Sequence, residues 1–300
     1  MLKGIQGQNP IFLTDLSRIQ SRVASANKQI TSGYRINQAS DDPQSIASML
    51  RMQSQIDHLT QTQANLNQAK AQNESADGAL QTATTILDQL TSIALQGSTD
   101  TTTQGTRALL ADQVKQLAQQ LVGIANTSVN GQYVFGGDSA TVPPYTFNWA
   151  AGTNGVVSNS PVGATALLDD GNGSTINAGM SAASVFDSGS NSVFAAVYSL
   201  GQALANNDVP GVQTALDSVK TSAKYVSDVS ASYGNRENWI AQASDAATSH
   251  LASLQQSLAA VRETDLPSAI TQMTTDQTAL QAAISAHASL STKSLFDYLG

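Results

Sequence analysis

Ala76-Asp77-Gly78-Ala79-Leu80-Gln81-Thr82-Ala83-Thr84-Thr85-Ile86-Leu87-Asp88-Gln89-Leu90-Thr91-Ser92-Ile93-Ala94 is the stretch that decides the fold. Ala76, Leu80, Ala83, Leu87, Leu90 and Ala94 recur at alternating spacings of four and three residues. That is the period of a helix packing one narrow apolar stripe against a partner. Upstream the stripe runs through Met49, Met52, Ile56, Leu59, Gln63 and Leu66, then after one phase slip through Ala69 and Asn73. The pattern predicts a helix from Pro43 to Gln96, roughly 80 Å long at 1.5 Å per residue. Ordinary globular helices are much shorter, so this reads as part of a rod. Gln and Asn in the stripe weaken it and fix its register.

Working outward, Ser40-Asp41-Asp42-Pro43 supplies the start. Asp42 can accept from exposed amides as N-cap, and Pro43 suits a first turn that needs no N–H. Before it, Phe12, Leu16, Ile19, Val23, Ala26 and Ile30 form a shorter seam that stops at Ser32-Gly33. After it, Gly97 to Gly105 reads as a turn, and a second helix runs from about Thr106 to Ser128, folded back antiparallel. Asn130-Gly131 is a hairpin dipeptide, followed by strand-like Gln132-Tyr133-Val134-Phe135 and then Gly136-Gly137.

A β-rich insert with short pieces such as Val156-Val157 and Ala166-Leu167-Leu168 is expected up to about Gly189. Helical spacing resumes near Val193, is broken at Val209-Pro210-Gly211, and begins again near Val212. Ala247, Leu251, Leu254, Leu258 and Val261 form one late seam; Ile270, Met273, Gln277, Leu280, Ile284 and His287 form another. Pro267 between them is expected to kink or interrupt the helix.

The fold expected is mainly α: a long antiparallel helical coiled-coil rod formed by both chain ends, with a small β-rich inserted domain. Its expected parts are an N-terminal segment 1–42, mobile in the monomer and helical on assembly; a helical hairpin 43–130; the insert 131–190, displayed as a knob; and C-terminal helices 191–300, the last ~35 residues mobile in the monomer. Isolated segments of about 20 residues are marginal helices in water, so the ends are expected to order against neighbours. The alternative is that they pair within one chain.

Composition narrows the function. Of 300 residues only 5% are aromatic and 12% charged, too little bulk for one thick core. A formal charge of −8 argues against a nucleic-acid partner. With no Cys, disulfides, thiolate metal sites and thiol nucleophiles are excluded. The first residues do not read as a secretory signal peptide, and no run approaches the ~20 apolar residues of a membrane span. His58, His250 and His287 are scattered and read as solvated or seam residues. Asp170-Gly171-Asn172-Gly173-Ser174 begins like a calcium loop but lacks its sixth and twelfth residues, so a turn is expected. Capping explains Asp41-Asp42 better than a paired-carboxylate site. No nucleophile elbow or phosphate loop is present, and no catalytic residue, cofactor or metal is expected.

Ile30-Thr31-Ser32-Gly33-Tyr34-Arg35-Ile36 followed by Ala39-Ser40-Asp41-Asp42-Pro43 resembles the N-terminal signature of the bacterial flagellin family. Asn126 with Gly131-Gln132-Tyr133-Val134-Phe135-Gly136-Gly137 is similar to the family's Gly-x-Tyr-x-Phe-x-Gly boundary. Leu280-Gln281-Ala282-Ala283 and Ser294-Leu295-Phe296-Asp297-Tyr298-Leu299 fit its C-terminus. The motif residues carried over are Ser32, Gly33, Arg35, Ser40, Asp41, Asp42, Pro43, Gly131, Tyr133, Phe135 and Gly136. Tyr34 departs from the usual Lys.

The resemblance implies an extracellular structural subunit, exported without a cleaved signal through a type III export apparatus with a chaperone. Pro143-Pro144-Tyr145, Leu168-Asp169-Asp170-Gly171 and Gly234-Asn235-Arg236 resemble the family's hook–filament junction members, whose partners are further copies, a neighbouring hook-associated protein and flagellin. A filament flagellin is the alternative, and a secretion-system tip or translocator a more distant one. Phe12, Leu16, Ile19, Val23, Ile30, Ile270, Met273, Leu280, Ile284 and Leu295 are the expected assembly residues.

Overall fold

The computed structural model describes residues 3–137, 140–150, 154–159, 167–171 and 173–292. Helix α1 (Lys3–Ser32) is followed by α2 (Pro43–Gly97) and α3 (Gln104–Ala125). Six short strands follow: β1 (Ser128–Val129), β2 (Gln132–Tyr133), β3 (Tyr145–Phe147), β4 (Val156–Ser158), β5 (Leu167–Asp169) and β6 (Thr175–Asn177). Then come α4 (Ala182–Phe186), α5 (Val193–Ala205), α6 (Val209–Arg262) and α7 (Leu266–Thr292). The chain divides into two compact units, one of Met1–Asp57 with His250–Gly300, the other of His58–Ser249.

The expected helical architecture with a small β insert holds, and both units pair helices antiparallel. In the second unit Gln63 Nε2 donates to Thr248 Oγ1 at 2.8 Å, Asn73 Nδ2 to the Tyr233 carbonyl at 3.0 Å, and Ser230 Oγ to Asp77 Oδ1 at 2.6 Å. Partner positions rise in α2 as they fall in α6. Ala76, Leu80, Ala83, Leu87, Leu90 and Ala94 are all buried, as their spacing requires. The phase slip lies two turns earlier than expected: Thr62 is buried and Gln63 only half-buried. Ile56, Leu59 and Thr62 follow at three-residue steps, which moves the stripe around the helix.

Pro43 begins a helix as expected, and Pro210 and Pro267, expected as breaks, also lie at helix starts. Asp42 Oδ1 accepts from Ser45 N at 3.2 Å just before Pro43. Asp208 Oδ1 accepts from Gly211 N at 3.0 Å, so α6 begins at Val209 rather than near Val212. Asp265 accepts Ser268 Oγ at 2.7 Å, so the interruption falls at residues 263–265 and Pro267 lies in the first turn of α7. In each case Asp caps the helix and Pro occupies a position whose N–H is unneeded.

Among its described residues the insert has three two-stranded antiparallel pairings, β1–β2, β3–β4 and β5–β6. Asn130 and Gly131 take φ 52° and 78°, the left-handed pair a tight hairpin turn demands. The strand after them ends at Tyr133, short of the expected Phe135. Strands of two or three residues cannot support a core of their own. The insert gives its aromatics to the helices. Phe135 meets Phe186 edge-on at 5.3 Å, Tyr145 packs on Phe194 at 4.7 Å, and Trp149 on Tyr198 at 5.1 Å. Phe135, Tyr145, Phe186 and Phe194 lie in the same buried cluster as the α2, α3 and α6 stripes.

Candidate assembly surface

The first unit is built on α1 and α7. Phe12 stacks on His287 with ring centroids 4.0 Å apart, Arg22 pairs with Asp276 at 3.0 Å, and Tyr34 bridges Glu263. The helices are therefore antiparallel neighbours within one chain, the alternative reading of the two ends. Phe12, Leu16, Ile19, Val23, Ala26 and Ile30, the expected seam of α1, are all shielded, with Gln29 shielded beside them.

On α7 the frame differs by one residue at alternate places. Ala269, Met273, Asp276, Leu280, Ala283 and His287 are shielded, whereas Ile270, Gln277 and Ile284 are exposed. Small Ala269 and Ala283 let the helices approach. The bulkier Ile270 and Ile284, 47% and 50% exposed, lie fourteen residues apart on an outer stripe with exposed Gln277 midway between them. Ile11 and Leu13 are exposed near the start of α1, and Leu266 near the start of α7. Leu295 lies outside the described residues.

The seam also holds a charge that the apolar pattern hides. Asp276 is 2% exposed, accepting from Arg22 and from Gln272 Nε2 at 2.9 Å. Its spacing from Met273 and Leu280 was the available signal: an acid at an inward position with an arginine on the facing helix. Asp276 is buried but Arg22 is half exposed, so removing Arg22 leaves the carboxylate with Gln272 and nearby solvent, at a cost of about 1–2 kcal/mol. Arg22→Ala is expected to lower first-unit stability by that amount in urea unfolding, and Arg22→Ala with Asp276→Leu to recover most of it.

Where α1 ends, the family-motif residues build an elbow. Gly33 takes φ 73°, and its N–H closes α1 on the Gln29 carbonyl at 2.8 Å. Arg35 N donates to the Arg262 carbonyl at 2.8 Å, and Thr264 N to the Gly33 carbonyl at 3.0 Å. Arg35 Nη2 donates to the Val261 carbonyl at 2.9 Å and Nη1 to Asp42 Oδ2 at 3.2 Å. The Arg262 guanidinium lies 3.9 Å over the Tyr34 ring, so the departure from Lys at position 34 supplies a stacking partner. Ile36 is buried beneath these contacts, and Ser40 lies in the turn before Asp41.

Asp41 Oδ2 accepts from Asn37 N and Gln38 N, each at 2.9 Å. Those backbone N–H bonds hold the Asp41 carboxyl below its ordinary value, and the Ser45 hydroxyl chiefly does the same for Asp42. A depressed carboxyl pKa contributes stability above the unfolded value that is lost as pH falls through the folded one. The elbow is expected to stay closed at neutral pH and open below the ordinary Asp value of 3.8. Amide exchange at Asn37 and Gln38 followed against pH checks this, with Asp41→Asn abolishing the transition.

The second group of motif residues lies in the other unit. Gly131 forms the hairpin turn, Tyr133 N donates to the Ala140 carbonyl at 2.7 Å, Phe135 is fully buried, and Gly136 N donates to the Tyr133 carbonyl at 2.9 Å. These positions hold the insert against the helices. Among the described residues no cluster of His, Cys, Asp or Glu could hold a metal, and no helix is long and apolar enough to cross a membrane.

Residues 9–140 match the bacterial flagellin N-terminal helical region. A flagellin of Clostridium tyrobutyricum is 33% identical over 116 residues, which is 39% of this chain and 31% of that protein. The chain thus spans less than a third of the length of that relative. Among solved structures, flagellar hook-associated protein 3 of Legionella pneumophila superposes with TM-score 0.61 at 14% identity, covering 69% of this chain and 97% of that one. FlgL of Bacillus cereus superposes with TM-score 0.56 at 17% identity, covering 69% of this chain and 98% of that one. At such identities the likeness is one of fold.

Proposed function

We propose that this chain, whose residues 9–140 match the flagellin N-terminal helical region, is a structural subunit of the bacterial flagellum that joins hook to filament. It is an extracellular building block and not an enzyme. Copies add head to tail, and the rotation per step closes them into a ring or short helix. Each α1–α7 pair presents the Ile270–Ile284 stripe to the next copy, so many weak seams sum to a firm lattice. A flagellar export chaperone covers that stripe before passage through the type III export apparatus.

One observation favours the junction over the filament. The fold superposes over 97% of the Legionella hook-associated protein, which leaves almost none of that protein's fold without a counterpart in this chain. Its sequence relatives are flagellins, and that favours the second reading, a filament flagellin. Deleting the gene separates the two. The junction reading predicts bare hooks and intact flagellin shed into the medium. Bare hooks with no flagellin shed mark a filament subunit, and normal filaments overturn both readings.

A further inference from the structure

The elbow residues take no part in the apolar seam, and the contacts of Gly33, Tyr34 and Arg35 link the strand after α1 to the strand before α7. We propose that residues 33–42 and 261–265 form a pinned double hinge, with Arg35 the pin that fixes the direction in which the α1–α7 pair leaves the ends of α2 and α6. This does not rest on the junction reading.

No helical hydrogen bonding runs through either crossing. The two strands share a single antiparallel bridge, Tyr34 with Glu263, and the backbone bonds beside it. One rung sets the separation of two strands and leaves them free to swivel about it. Resistance to swivelling comes from side chains, and the strands exchange arginines to provide it. Arg35 reaches from the N-terminal strand to the Val261 carbonyl at the end of α6, while Arg262 reaches back to lie on the Tyr34 ring.

Arg35 alone also engages Asp42, the cap of α2. One planar guanidinium therefore ties the end of α6 to the start of α2 across the crossing. Lysine would carry the charge without the fork, since its three donors sit on one atom.

The absence of Cys makes the test direct in the full-length chain. Spin labels at Ser25→Cys on α1 and Ser54→Cys on α2 report the hinge; labels at Ser17→Cys and Thr278→Cys report the α1–α7 pair. Both pairs are expected to give one narrow distance distribution in the parent. Arg35→Ala and Arg35→Lys are expected to broaden the hinge distribution at least twofold and leave the α1–α7 distribution unchanged. An unchanged hinge distribution overturns the pin. Broadening of both pairs together makes Arg35 a residue of general stability, and a narrow distribution with Lys shows that charge rather than the fork matters; either result also overturns it. The readout is monomeric, so the junction reading can fail without touching this result.

Discussion

Ile284→Asp leaves the chain folded and removes it from the assembly. Ile284 is half exposed on α7, one residue off the positions that face α1, so a carboxylate there stays solvated in the monomer. Helix content and unfolding midpoint are expected to match the parent. In the lattice the same carboxylate is buried against a neighbour with no partner, which costs several kcal/mol and about 100-fold or more in incorporation. Leu280→Asp is the contrasting variant. Leu280 is shielded against α1, so its replacement destabilises the first unit before any assembly step. Purified protein compared by circular dichroism, then by incorporation in a complemented deletion strain, reads both effects. Normal incorporation of Ile284→Asp contradicts the outward stripe as the contact.

Arg107→Ala carries the largest expected loss of stability in the second unit. Arg107 is 5% exposed on α3. Its Nε donates to the Gly97 carbonyl at 2.8 Å, Nη2 to the Thr99 carbonyl at 2.8 Å, and Nη1 to Asn207 Oδ1 at 2.7 Å. One side chain thus closes the end of α2, the turn after it, and the turn after α5, where Asn207 holds φ 56°. Truncation leaves the buried Gly97 carbonyl unpaired, while Thr99 and Asn207 are exposed and can turn to water, and the lost packing and hydrogen bonds together cost about 2 kcal/mol. Urea unfolding is expected to show that loss, with Arg107→Lys recovering only part. A change below about 1 kcal/mol means that the three helix ends are held by their apolar contacts alone.

What could be read from the sequence follows from how each feature is encoded. The α2 stripe from Ala76 to Ala94 and the α1 seam repeat at fixed spacing, and repetition survives without knowing the partner. The Asn130-Gly131 turn is equally local, since two adjacent residues accept left-handed backbone. The breaks expected at Pro210 and Pro267 occur, at residues 206–208 and 263–265, but each proline lies in the first turn after its break, because a proline is tolerated there behind an Asp cap. The frame on α7 was missed because Ile270 and Ile284 are larger than Ala269 and Ala283, and size alone favours the bulkier residue for the interior. The structure gives the small residues to the close contact and leaves the large ones outside. Asp276 and Arg107 are buried charges whose partners are 254 and 100 residues away, at Arg22 and Asn207. No local pattern marks such pairs. The family motif was legible as a motif, while its geometry, an elbow held by Arg35, Asp41 and Asp42, needed the second strand from residues 261–265.

The most direct test of the central claim is immunogold labelling of intact flagellated cells with antibody to this chain. The account predicts one discrete band at the base of each filament, where it meets the hook. Label along the whole filament, or none on the flagellum, contradicts it.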